Sequence, residues 1–344
     1  MDKSTQIIIP TYNRPNKLFK TLKTYSNLKI KSKLIILDGS DQLYLEINKK
    51  NITTFSSKLN IEYKHDSSDL INRLLNQLSL MGKDDIVCLG NDEDVFMPDY
   101  IDNSYFFLKN NPDYSIYVGR YLTYQKPVLG FSRISYWRHT FTDIDINEDS
   151  PNRRLMLFQR VIICGASPIF WGTRKVKNFI EPLLIQQNIV IENAQELADQ
   201  IYCSVVGKIR FHPEIMMWRD ESSLKLDETK NRSDADNFIN IESKKEFINA
   251  FNGFSLLNNN NEIIDSFLDW YFKKLNFSVN NSFNFINYKK SYSRLNPSDN
   301  FKLFDIVISL DKFFKILNEI IYNILWNIKF IKEKKIKANI FFKF

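Results

Sequence analysis

Along the first 120 residues, short unbroken apolar runs alternate with segments whose apolar positions recur every three or four residues. Gln6–Ile9 is the first run, stopped by Pro10 and the loop Thr11-Tyr12-Asn13-Arg14-Pro15. From Asn16 a helical period follows, with Leu18, Leu22 and Tyr25 on one face. Lys33–Leu37 predicts a second strand, ended by Asp38-Gly39-Ser40, and Asn60–Lys64 a third. Ser67–Leu80 predicts a helix with Leu70, Leu74 and Leu78 in line, Asp85–Leu89 a fourth strand, and Pro98–Leu108 the start of another helix. Continuous apolar strands separated by amphipathic helices predict an α/β fold, a parallel sheet covered on both faces. In such sheets the ligand sits beyond the carboxyl ends of the strands. The polar clusters Thr11–Arg14, Asp38–Asp41, His65–Ser68 and Gly90–Asp94 all fall there.

The middle of the chain is mixed. It holds an aromatic and basic stretch, Phe131–His139, a predicted strand at Val161–Cys164, and a predicted helix from about Glu192 to Val206. After Trp218 the composition turns polar, and Asn258–Asn261 reads as a loop. Beyond Glu262 the pattern is helical to the end. The expected division is a catalytic domain over residues 1–220 and a mainly helical C-terminal region over 221–344.

Composition narrows the chemistry. With 44% hydrophobic residues among 344, the chain is neither disordered nor fibrous. Nine glycines leave little room for a glycine-rich phosphate loop. Cys88, Cys164 and Cys203 form no CxxC pair, and His65, His139 and His212 are as scattered. Buried free thiols in a reducing compartment are the expectation, and any metal is held by carboxylates, hence Mg²⁺ or Mn²⁺ before zinc. The apolar run at the N-terminus is too short for a signal peptide, and no stretch is long enough to span a membrane. Cytoplasmic placement follows as an expectation. The net charge of +7 is uneven: residues 301–344 carry nine lysines against Asp305, Asp311, Glu319 and Glu333. A nucleic-acid binder would be basic throughout, so none is expected.

Asp92-Glu93-Asp94 is the strongest chemical signal. Three carboxylates directly after a buried strand repel one another unless a cation or a basic group compensates them. Asp92 and Asp94, as alternate members, can point the same way and share one divalent ion with phosphate oxygens. Glu192, Glu196 and Asp199 form a second acidic set at i, i+4 and i+7, with Leu197, Ile201 and Val205 on the opposite, inward face. Trp137, beside Arg138, and Trp171 are aromatic positions that suit either core packing or a flat apolar ligand face.

These residues carry a resemblance. Ile7–Pro15 resembles the opening of family 2-type glycosyltransferases of GT-A fold, whose sheet is mostly parallel and flanked by helices. Leu37-Asp38-Gly39-Ser40 resembles their second strand with its nucleotide-binding aspartate, and Asp92–Pro98 their Asp-x-Asp motif, here with a central glutamate. The resemblance spans roughly residues 5–220. It implies a bacterial glycosyltransferase of surface-polysaccharide or glycoconjugate synthesis, taking a nucleotide-sugar, a UDP-sugar first among them, and a glycan or lipid-linked hydroxyl acceptor. It further implies that Pro10, Thr11, Tyr12, Arg14, Asp38, Arg73, Asp92, Glu93 and Arg219 line the donor site. Asp94 with Asp92 would hold Mn²⁺ or Mg²⁺ on the diphosphate. An acidic residue before Gly207-Lys208-Ile209 would be the base: Glu196 by position, with Glu192 and Asp199 as alternatives. Inversion at the anomeric carbon is implied by the resemblance alone.

Two other readings stay open. A sugar nucleotidyltransferase usually opens with a glycine-rich loop, and Pro10–Pro15 contains no glycine. A non-catalytic carbohydrate- or surface-binding protein with a degenerate site is opposed by the intact Asp92/Asp94 pair. In the tail, wide apolar surface followed by Lys329, Lys332, Lys334, Lys335, Lys337 and Lys343 suits either packing, on this domain or in a homo-oligomer, or peripheral attachment to the inner face of an anionic membrane.

Overall fold

The computed structural model describes residues 4–128, 131–136, 145–162, 168–189, 192–220, 247–251 and 261–280. The chain divides into two compact units, Met1–Phe272 and Lys273–Phe344. The boundary expected near residue 220 does not coincide with the division between these units, and 221–246 lie outside the described residues.

The first half is built from β1 (Gln6–Thr11), α1 (Pro15–Leu28), β2 (Leu34–Asp38), α2 (Gln42–Phe55), β3 (Ile61–His65), α3 (Leu70–Ser79) and β4 (Ile86–Leu89). These strands lie parallel in the order β3–β2–β1–β4. The chain adds β2 and β3 on one side of β1 and then returns to place β4 on the other. The order therefore reverses between β1 and β4, and a crevice opens beyond their carboxyl ends. Register brings Thr11, Asp38 and His65 side by side along that edge.

Alternation along β1 explains how the sheet is covered. Ile7 and Ile9 pack with Leu18, Leu22 and Tyr25 of α1, while Ile8 packs with Leu74 and Leu78 of α3 on the other face. Leu70, expected on the same stripe, is left exposed, because α3 starts at Leu70 behind Asp69, whose carboxylate accepts from Asn72 N–H. β1 runs through Pro10 to Thr11 instead of stopping there. Ile7 N–H donates to Lys33 O of the β2 side, so by alternation the Pro10 nitrogen faces the β4 side. The β1–β4 ladder has already ended at Ile8, and the missing N–H breaks no bond.

Past β4 come β5 (Asp94–Phe96), α4 (Pro98–Asn110), β6 (Tyr114–Val128), β7 (Phe131–Tyr136), α5 (Pro151–Ile162), a 3₁₀ turn at Pro168–Trp171, β8 (Thr173–Lys175), α6 (Lys177–Gln186), α7 (Glu192–Val206), β9 (Lys208–Asp220) and α8 (Asn261–Asn280). The sheet continues β4–β8–β6–β9–β5, with β7 on β6. These ladders are antiparallel except β6–β9. The strand expected at Val161–Cys164 is not formed: Val161 and Ile162 end α5, and Cys164 lies outside the described residues. Buried free thiols are found at Cys88 and Cys203. Among the described residues no helix is long and apolar enough to cross a membrane.

Candidate active site

β4 sits beside β1, but β5 pairs with β9 at the far side of the sheet. Residues 90–93 turn tightly between β4 and β5, with Asp94 N–H donating to Asn91 O at 3.1 Å and the Phe96 ring against Gly90, and the acidic motif lies on that turn.

The floor of the crevice is a pair of interlocked loops. Asn13 adopts a left-handed backbone, φ 54°, which Asn tolerates better than most residues. Its Nδ2 donates to Asp41 Oδ2 at 2.7 Å, its Oδ1 accepts from Asp41 N–H at 2.9 Å, and its own N–H donates to Ser40 Oγ at 2.8 Å. Asp38 is fully buried below them. Its carboxylate accepts from Ser40 N–H (2.8 Å), Asn48 Nδ2 (2.8 Å) and Tyr63 OH (2.6 Å). Asp38 therefore shapes the loop, and its oxygens are turned inward rather than toward a base edge. Against Gly39 lies the guanidinium of Arg73: a Cβ at Gly39 would stand 1.6 Å from Arg73 Nη1. Arg73 is buried, donates from Nη1 to Thr11 O at 3.4 Å and leaves Nε without a partner. Burial pulls its pKa down, against the charges of Asp38, Asp66 and Asp69. Tyr12, between Thr11 and Asn13, is 55% exposed.

The acidic segment is held from α1. Thr11 Oγ1 donates to Asp92 Oδ2 at 2.7 Å, and Arg14 Nη1 lies 2.9 Å from Asp92 Oδ1. Glu93 is met by Arg14 Nη2 and, at 3.1 Å, by Lys17 Nζ. One and two turns further along α1, Thr21 Oγ1 donates to Asp92 O at 2.7 Å, and Tyr25 OH accepts from Phe96 N–H at 3.0 Å. Asp94 differs from its neighbours. It is fully buried, and no donor meets its carboxylate oxygens in good hydrogen-bond geometry, although the Asn91 backbone N–H lies near enough to favour the charged form. Arg219 Nε stands 3.8 Å from its Oδ1, across the β5–β9 pairing of Asp94 with Arg219. The Arg219 guanidinium lies 4.9 Å from the ring centre of Trp171.

Burial pushes Asp94 up to about 7, against the pull of Arg219, and Asp92 up to about 6, against Arg14 and the Thr11 hydroxyl. The arrangement fits a divalent cation: hard oxygen donors, three of them, Asp92 Oδ1 and both of Asp94, buried and without an aligned hydrogen bond. Among the described residues no three His, Cys, Asp or Glu side chains are grouped to hold an ion alone. Water or ligand oxygens would complete its shell, which suits Mg²⁺ or Mn²⁺.

On α7 the acidic set does not form one solvated face. Asp199 is buried and takes both Arg174 Nη1 (2.7 Å) and Nη2 (3.0 Å). Arg174 also donates to Ile169 O and Phe170 O, and its guanidinium lies 4.3 Å from the Phe179 ring centre. Leu197, Ile201 and Val205 are buried as expected, and Asp199 is buried with them. A carboxylate so engaged is spent on the fold. Glu196, one turn earlier, is half-buried, and Glu192 opens the helix. Sequence reasoning missed Arg174, a lone arginine in a three-residue strand, and Tyr25, whose apolar ring hid the role of its hydroxyl. Trp137 and Arg138 lie outside the described residues.

No known family model and no curated protein matches this chain. Among solved structures it is similar to S. aureus TarS 1–349, at 13% identity and a TM-score of 0.42, covering 82% of this chain and 93% of that one.

Proposed function

We propose that this protein is a glycosyltransferase that moves a sugar from a nucleoside-diphosphate donor, a UDP-sugar by preference, to the hydroxyl of a glycan or lipid-linked acceptor with inversion. The observation that carries this reading is Asp94, a fully buried carboxylate whose oxygens no donor meets in good geometry at the crevice between β1 and β4. A buried carboxylate compensated this loosely, by Arg219 at 3.8 Å, is costly to ionise, and a bound cation would offset that cost. The motifs at Ile7–Pro15, Leu37–Ser40 and Asp92–Pro98 support the same reading.

In this proposal Tyr12 lies against the base and Arg73 backs the loop beneath the donor, while Asp38 holds that loop in shape. Asp94 and Asp92 would hold Mn²⁺ or Mg²⁺, which when bound neutralises the charge of the departing diphosphate. Arg219, steadied on Trp171, adds a fixed positive charge to the same side. The acceptor oxygen bonds to the anomeric carbon as its bond to the diphosphate breaks, and Glu196 takes the hydroxyl proton. General-base assistance of this kind contributes about 10²–10⁴-fold.

A thermal-shift series with UDP, GDP, ADP, dTDP and CMP, each with and without Mn²⁺, tests the reading. A ligand at 100 times its Kd stabilises the folded state by about 2.7 kcal/mol, a readily measured shift. The expected result is a diphosphate-specific rise that needs Mn²⁺. If no nucleotide raises the melting temperature under either condition, the reading fails.

A further inference from the structure

Arg14 reaches the acidic segment differently from every other cation there. Its side chain is 41% exposed, yet Nη1 rests 2.9 Å from Oδ1 of a carboxylate that is almost wholly buried. That Oδ1 accepts no aligned hydrogen bond, so the contact is one of charge without direction. The other oxygen, Oδ2, is already taken by the Thr11 hydroxyl. A cation shared by Asp92 and Asp94 therefore draws on the oxygen that Arg14 covers. Two positive charges crowding one carboxylate oxygen repel strongly, and partial burial weakens the screening between them.

We propose that Arg14 is the resident counter-cation of Asp92 in the ligand-free protein, and that uptake of a divalent cation displaces it from Asp92 Oδ1 onto Glu93 and the donor diphosphate. This rests on the reading of Asp92 and Asp94 as cation ligands. Glu93 makes the exchange easy, because Arg14 Nη2 already touches it. Leaving Asp92 gives up one contact and keeps the other, and Lys17 holds Glu93 in place meanwhile. Arg219 is not suited to this part: it is mostly buried, packed over Trp171, and 3.8 Å from Asp94. The central glutamate of the motif thus acts as a berth for an arginine and not as a metal ligand.

Competition has a signature that structural damage lacks. Mn²⁺ binding is measured by electron paramagnetic resonance on the full-length wild type, Arg14→Gln, Arg14→Lys and Asp94→Asn. Arg14→Gln should bind Mn²⁺ alone about tenfold more tightly, since its competitor is gone. With Mn²⁺ saturating, the same variant should bind UDP about tenfold more weakly, since the displaced charge no longer meets the diphosphate. Arg14→Lys, which keeps the charge, should stay near wild type in the first measurement. A purely structural Arg14 would weaken both ligands or neither. If Arg14→Gln binds Mn²⁺ no better than wild type while Asp94→Asn abolishes binding, the exchange is wrong and the cation site stands. If no form binds Mn²⁺ at millimolar concentration, the cation site and the exchange fall together.

Discussion

Burial makes a carboxylate hold its proton, and Asp94 is pushed up to about 7 for that reason, against the pull of Arg219 and the Asn91 backbone N–H. In the unfolded chain it would titrate near the ordinary value of about 3.9. Between those values the folded state binds a proton that the unfolded state has released, so stability falls as pH rises. The contribution is fully present below about pH 4 and lost above about 7. Asp92, at about 6, acts in the same direction. A divalent cation takes the place of that proton, so metal and acidity compete. Mn²⁺ is therefore expected to raise the melting temperature more at pH 8 than at pH 5.5. Asp94→Asn should be at least as stable as wild type at pH 8 without metal, because an amide carries no charge to desolvate, and it should no longer respond to Mn²⁺. A metal-free Asp94→Asn that melts well below wild type at pH 8 would count against this account. None of it was legible in the string Asp92-Glu93-Asp94, which shows three acids but not which one the fold buries most deeply.

Elements with a repeating apolar pattern were readable, and those made by distant partners were not. β1, α1 and α7 carry enough periodic Ile, Leu and Tyr to declare themselves. β5 and β8 span three residues each, and their existence depends on β9, β4 and β6 rather than on local preference. Val161 and Ile162 misled because β-branching favours strands, yet their cost in a helix is only a few tenths of a kcal/mol. Packing of Leu155 and Phe158 on α5 outweighs that. On α7 the period correctly marked Leu197, Ile201 and Val205, but nothing in it revealed that Asp199 meets a buried arginine. That pairing separates the candidate bases experimentally. Asp199→Ala leaves Arg174 charged and unpaired in the interior, a loss of about 3–5 kcal/mol of stability. Glu196→Gln keeps shape and packing, so turnover should fall about a hundredfold or more with an unchanged melting temperature and donor affinity. Unchanged turnover in Glu196→Gln would move the base to Glu192.

Over the whole molecule, the position of the site follows from strand order more than from any single motif. Once β4 returns beside β1, the acidic turn that follows it at 90–93 lies at the reversal point, where Thr11 of β1 meets Asp92. The charge distribution adds a second large-scale feature. Residues 301–344, outside the described residues, hold five of the seven net positive charges, interleaved with Ile and Phe. Each lysine near an anionic surface contributes about 1 kcal/mol, and the attraction fades within a Debye length. That length shrinks from about 30 Å at 0.01 M salt to about 3 Å at 1 M. The full-length protein is accordingly expected to sediment with phosphatidylserine vesicles at low salt, to be released at about 1 M salt, and to ignore neutral vesicles. Replacing Lys332, Lys334, Lys335 and Lys337 by Gln should remove most of the binding while leaving Mn²⁺-dependent nucleotide binding intact. Apolar insertion alone would survive high salt and the four substitutions, so the two sources of attachment give opposite results. If the wild-type protein does not sediment even at low salt, the tail serves packing or self-association, and a lipid-linked acceptor loses the one sequence feature that favours it over a soluble glycan.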